Sequence, residues 1–73
     1  MRVTLYHDRR RLFDGTAVQV VLPGEDGELS VLSFHAPMLC VLAEGNIQID
    51  HARFPVRGGI VRVARNAVTI LSS

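Results

Sequence analysis

An all-β fold, a small sandwich or flattened barrel, is predicted by two features of this chain of 73 residues. Apolar residues recur with period two in run after run, and helical spacing never settles in. Turn-forming pairs interrupt these runs at short intervals, at Asp14-Gly15, Pro23-Gly24 with Asp26-Gly27, Glu44-Gly45, His51-Ala52, Gly58-Gly59 and Arg65-Asn66. Many short strands with regular reversals and no helical segment define that fold class.

The runs follow one another along the chain. Val3 and Leu5 alternate with Thr4 and Tyr6, and Asp14-Gly15 reads as a hairpin turn because both positions tolerate positive φ. Val18, Val20 and Leu22 share one face, opposite Ala17, Gln19 and Val21. Met38 to Leu42 breaks the alternation: it is apolar on both faces, so it is either buried between layers or covered on its outer face by another chain. Ile47 and Ile49 then alternate with Asn46, Gln48 and Asp50, and Phe54 and Val56 with Arg53, Pro55 and Arg57. Pro55 cannot donate to a ladder, which puts its strand at an edge or its nitrogen facing outward. Val61 and Val63 flank Arg62, and Val68 and Ile70 flank Thr69. Side chains two apart on a strand point the same way, so each run has a core face and a wet face.

Length and composition bound the function. A chain this short is one domain that buries only about 60% of the surface its unfolded form exposes. Hydrophobic residues make up 48% of it, so a partner covering apolar surface is expected. Eight arginines, no lysine and seven acids give a net charge of +1, which argues against nucleic acid as a partner. Arg9-Arg10-Arg11 is the one basic run and reads as a charged turn or edge strand. The single cysteine, Cys40, excludes a disulfide within the chain. No targeting signal is visible, and Leu29 to Ala43 is shorter than the ~20 residues of a spanning helix, so a soluble chain is expected.

Catalysis finds little support. His35 and Cys40 could pair as base and thiolate, but Pro37 lies between them and the reading for Cys40 is a buried apolar thiol. His7, His35 and His51 lack the spacing of metal ligands, and Glu25-Asp26-Gly27-Glu28 lacks the alternating oxygens of a calcium loop. No helix begins after Gly58-Gly59 to make a phosphate site. Neither an enzyme, a metal nor a cofactor is expected.

In order and spacing, three segments resemble the N-terminal β-sandwich domain of the ε subunit of F-type ATP synthase, called δ in mitochondria. "LFDGTAVQVVLPGEDGEL" is similar to that family's opening hairpin and its Glu-Gly-Glu-Leu-Gly turn. "HAPML" resembles its His-Ala-Pro-Leu segment, and "FPVRGGIVRVARNAVTIL" its closing hairpin. The resemblance covers essentially the whole chain. It implies a flattened sandwich of two antiparallel sheets with about ten short strands, forming one domain over residues 1–73. It also implies a non-catalytic rotor subunit of the central stalk, binding the γ subunit along one side and the ring of c subunits at one end. Such a subunit couples proton- or sodium-driven rotation to ATP synthesis at the cytoplasmic face of a bacterial inner membrane.

Carried over to this sequence, the resemblance assigns Glu28, Leu29, Ser30, Phe34 and His35 to the c-ring contact. It assigns Ala36, Pro37, Met38, Cys40 and Leu42 to the γ contact, on the double-sided strand. Ser30 stands where the family has glycine, and Ser33-Phe34 where it has Pro-Gly, so the loop there is expected to be reshaped. The sequence stops at Ser72-Ser73, before the C-terminal pair of helices common in the family, which leaves open a naturally short protein or a piece of a longer one. The expectation for these residues is coupling and not self-inhibition. The competing reading is a generic β-sandwich module that self-associates or binds an unrelated protein.

Overall fold

The computed structural model describes residues 1–73 and contains nine strands and no helix. The strands are β1 (Arg2–His7), β2 (Arg10–Thr16), β3 (Gln19–Gly24), β4 (Gly27–Leu32), β5 (Met38–Leu42), β6 (Gly45–Ile49), β7 (Ala52–Val56), β8 (Gly59–Ala64) and β9 (Ala67–Ser72). They pair in the order β2-β1-β9-β8-β5-β3-β6-β7, with β4 on the other edge of β3. The count is nine where about ten were expected, and one pair, β1 with β9, is parallel. All other pairs are antiparallel.

The two expected sheets are the halves of one curled sheet. Five strands, β2-β1-β9-β8-β5, join four, β4-β3-β6-β7, through a single pairing of Gly24 with Leu42. Phe13 on β2 and Phe54 on β7 meet edge to face with centroids 6.2 Å apart, which brings the two ends of the path together. The buried cluster draws on both halves: Val3, Leu5, Val61, Val63, Val68 and Ile70 from one, Val20, Leu22, Val31, Ile47, Ile49 and Val56 from the other.

The alternation read from the sequence supplies this core almost unaltered. Each fully buried aliphatic side chain contributes about 1.5–3 kcal/mol, the term that must offset chain entropy in so small a domain. Ile47 is completely buried. Ile47→Val is therefore expected to cost about 0.5–1.5 kcal/mol, read as a lower urea midpoint. An unchanged midpoint would show that the core there closes over the missing methyl.

Val18 departs from the predicted face. It lies just outside β3 and is 74% exposed, because the Asp50 carboxylate accepts the backbone N–H groups of both Val18 and Gln19 at 3.0 Å. Asp14-Gly15 departs too: it is not a turn but lies inside β2, where Asp14 forms ion pairs with Arg2 and Arg11. The reversal falls at Asp8-Arg9, both at positive φ (48° and 71°), the backbone of a tight two-residue hairpin. Leu12 is the extra residue of a bulge, since Leu5 pairs with Phe13 and Tyr6 with Arg11. The second such hairpin, at Arg65-Asn66 (φ 53° and 58°), falls where the sequence places it. β7, which carries Pro55, is an edge strand as expected.

Candidate functional site

The double-sided apolar strand is β5, and its two faces divide by parity. Met38 and Cys40 pack half-buried against the core, and Leu42 is 3% exposed. Leu42 is thus a core residue and offers no surface to another chain, a correction to its expected place at the γ contact. The surface of this strand is made instead by Leu39, 75% exposed, and Val41. Ala36 and Pro37 are exposed in the link leading into it.

Strand register extends that surface across four strands. Val41 pairs with Ile60, Ile60 with Leu71, and Leu71 with Tyr6. All four therefore stand in one row on the outside of β5, β8, β9 and β1, and Val41, Ile60 and Leu71 are exposed. The next row reads Leu39, Arg62, Thr69, Thr4. At one end of the apolar row a hollow of about 740 Å³ is lined by Tyr6, Asp8, Arg9, Gly59, Ile60, Leu71, Ser72 and Ser73. A contiguous apolar row on a sheet with no layer over it marks an interaction surface.

The outside of the other half is different in kind. By the same parity it carries Gln19, Val21 and Pro23 on β3, Glu28, Ser30 and Leu32 on β4, Asn46 and Gln48 on β6, and Arg53 and Pro55 on β7, with Leu32 the one large apolar side chain exposed on these strands. The molecule thus has one sticky face and one largely wet face.

The five residues expected at the ring do not come together at one end. Glu28 stands beside the β3–β4 turn, next to Glu25 and Asp26, and the backbone bond from Ala43 to Pro23 brings the β5–β6 link with Glu44 to the same end. Those four acids form an acidic corner. Leu29 turns inward and packs on the core, whereas Ser30 is exposed. Phe34 and His35 lie beyond the far end of β4, at the opposite end of the molecule, near the β8–β9 turn.

Phe34 holds an unusual conformation there. It is 83% exposed at φ 64°, its N–H donates to the Asn66 side-chain carbonyl at 2.7 Å, and the His35 N–H closes the turn on Leu32 at 3.1 Å. A φ of 64° is a left-handed conformation that glycine takes without cost and a residue with a β-carbon does not. Phe34→Gly is expected to raise stability by about 1 kcal/mol, because glycine takes this conformation without strain. Thermal melting checks it; a lower melting temperature would mean that the exposed ring packs usefully in the free chain.

His35 Nδ1 lies 2.7 Å from the Ala36 carbonyl oxygen, and the Cys40 thiol donates to the Val41 carbonyl at 3.6 Å. Each is engaged with its own neighbour, and no three His, Cys, Asp or Glu side chains converge as metal ligands. Leu39, Val41, Ile60, Leu71 and Tyr6 were missed as site residues. For Ile60 and Leu71 a signal existed, since they share the parity of the wet Arg62 and Thr69.

Fold and surface together define a small β-sandwich whose features lie on its faces, with no constellation of catalytic type. The chain belongs to the family described as the ATP synthase, Delta/Epsilon chain, beta-sandwich domain, which matches residues 1–73. It is 39% identical over 72 residues to an ATP synthase epsilon chain of Maricaulis maris, covering 93% of this chain and 54% of that one. It is 33% identical over 78 residues to ATP synthase epsilon chain 2 of Burkholderia orbicola, covering 99% and 51%. The chain spans about half the length of these curated relatives. Its fold matches a chain in the Euglena gracilis mitochondrial ATP synthase structure containing OSCP, F1 and c-ring, with a TM-score of 0.88 at 19% identity, over 96% of this chain and 48% of that one. A chain in the Tetrahymena thermophila mitochondrial ATP synthase central stalk and c-ring matches with a TM-score of 0.78 at 23% identity, over 99% and 62%.

Proposed function

We propose that this chain is a non-catalytic central-stalk subunit of an F-type ATP synthase that links the γ subunit to the c ring. The observation that carries the reading is the family match over every residue of the chain. The rotor role also fits the physics: torque passes through a body that is stiff and gripped on two sides, and a closed sandwich with a continuous core is stiff.

The γ subunit docks on the outer face of β1, β9, β8 and β5, over Tyr6, Leu71, Ile60 and Val41, with Leu39, Ala36 and Pro37 continuing the surface. What supports this placement is the contrast between the apolar row and the wet opposite face. The c ring meets the acidic corner, with Glu28 and Ser30 on the adjoining strand; Phe34 and His35, at the opposite end, are not part of that contact. In the assembled enzyme the chain transmits proton- or sodium-driven rotation at the cytoplasmic face of a bacterial membrane, held there through its partners.

Binding of the purified chain to its cognate γ subunit, followed by capture of the c ring by that complex, tests the reading. Glu28→Arg is expected to weaken ring capture about tenfold and leave γ affinity unchanged, as a rim charge does. A folded chain that binds neither would support the alternative, a sandwich module that self-associates or serves another protein.

A further inference from the structure

The outer face that carries the apolar row has a second hollow, beside the β8–β9 turn. It measures about 370 Å³ and is lined by Arg62, Ala64, Arg65, Ala67 and Thr69. Short side chains form its floor and the two guanidinium groups its charged members. The arginines in ion pairs are Arg2 and Arg11, both with Asp14, so neither Arg62 nor Arg65 is paired. Arg62 stands in register between Leu39 and Thr69, one pair of residues along from the Ile60 row. Asp14, on the outer face of β2, is already held by two arginines, and Asp8 lies at the far side, in the lining of the larger hollow.

We infer that the segment docking on this face brings a carboxylate into the Arg62–Arg65 hollow while an apolar side chain fills the hollow over Tyr6, Ile60 and Leu71. The inference rests on the docking face proposed above and names the chemistry of its partner. Two features select a protein carboxylate. The cationic hollow is continuous with an apolar surface, so a ligand spanning both must be apolar and acidic at once. Guanidinium groups bind carboxylates in a planar, two-bond geometry that ammonium groups do not match. Leu71 and Ala67 lie four residues apart on β9, so the partner's apolar anchor and its acid stand about 13 Å apart along the strand direction.

The test measures affinity for the purified γ subunit from about 50 mM to about 500 mM salt, a range over which exposed charge pairs are progressively screened. The variants are Arg62→Gln with Arg65→Gln, Arg62→Lys, and Gln48→Glu as a control on the opposite face. Circular dichroism confirms that each is folded. The expected result is wild-type affinity that falls with salt and a double variant about 10- to 100-fold weaker at low salt with that dependence largely removed. Arg62→Lys should recover only part of the loss, and Gln48→Glu should change nothing. Unchanged affinity of the double variant for γ would overturn the carboxylate contact while leaving γ docking intact. Absence of γ binding by wild type would overturn both. Two further results would overturn the carboxylate contact: dimerisation of the chain through this face in sedimentation, and displacement of γ by millimolar inorganic phosphate in wild type but not in the double variant. The second would make the hollow a phosphate site.

Discussion

Gly59→Ala is expected to leave the chain largely unfolded. An added β-carbon would stand 2.2 Å from the Leu71 carbonyl oxygen and 2.8 Å from the Ser72 Cα, both backbone atoms that no rotamer change can move. Its φ of 147° is also one that L-residues rarely adopt. Backbone strain and overpacking each cost about 1–3 kcal/mol, and together they place this change among the exceptional losses of about 4 kcal/mol or more. A chain of this size has roughly 0.05–0.15 kcal/mol of stability per residue, so such a loss consumes much or all of it. Gly27→Ala separates the two causes. Gly27 has φ 124° but open space around the β-carbon position, so its alanine variant is expected to lose only about 1–2 kcal/mol. Urea unfolding of both variants checks the difference; equal losses would show that the close approach of β9 to Gly59 adds nothing to the cost. Because Gly59 and Leu71 also line the larger hollow, this close pairing shapes the outer face of β8 and β9 as well as the fold.

Ile60→Asp is expected to weaken γ binding by about 100-fold, equivalent to about 2.7 kcal/mol, while the chain stays folded. Ile60 sits at the middle of the apolar row and points outward at 53% exposure, so the charge does not enter the core. Buried beneath a partner, the same carboxylate would lose its water without gaining a matched donor. In the free chain the cost is confined to strand propensity, about 1 kcal/mol at most. Ile60→Thr keeps a β-branched strand former and should lose less affinity. Gln48→Asp, on the wet face, should lose none. Equal effects at Ile60 and Gln48 would mean that γ does not distinguish the two faces.

Much of this fold was legible because period two is a strong signal where a strand is wet on one side. Val61-Arg62-Val63 and Val68-Thr69-Ile70 state their parity outright, and their valines and isoleucine are buried as read. The same rule could not orient Met38 to Leu42, since a strand apolar on both faces gives no parity. Only its register with β8 shows that Leu39 and Val41 lie outward. The run Arg9-Arg10-Arg11 reads as a turn or an edge strand and is both, with Arg9 in the turn and Arg10-Arg11 on the edge strand β2. Nothing in composition places the reversal at Asp8-Arg9, whereas Asp14-Gly15 imitates a turn and is instead an ion-paired segment of strand. The ring residues come from resemblance to family segments, which carries no distances between them. The length of β4 separates Glu28 from Phe34, and strand length is what composition reports least well.

The central claim is that γ covers the outer face of β1, β9, β8 and β5. Methyl NMR of the labelled chain during titration with unlabelled γ reads that face directly, without any substitution. The methyl signals of Leu39, Val41, Ile60 and Leu71 are expected to shift or broaden together, while those of Val21 and Leu32 on the other half stay in place. Perturbation confined to Val21 and Leu32, with the four-strand row unmoved, would contradict it.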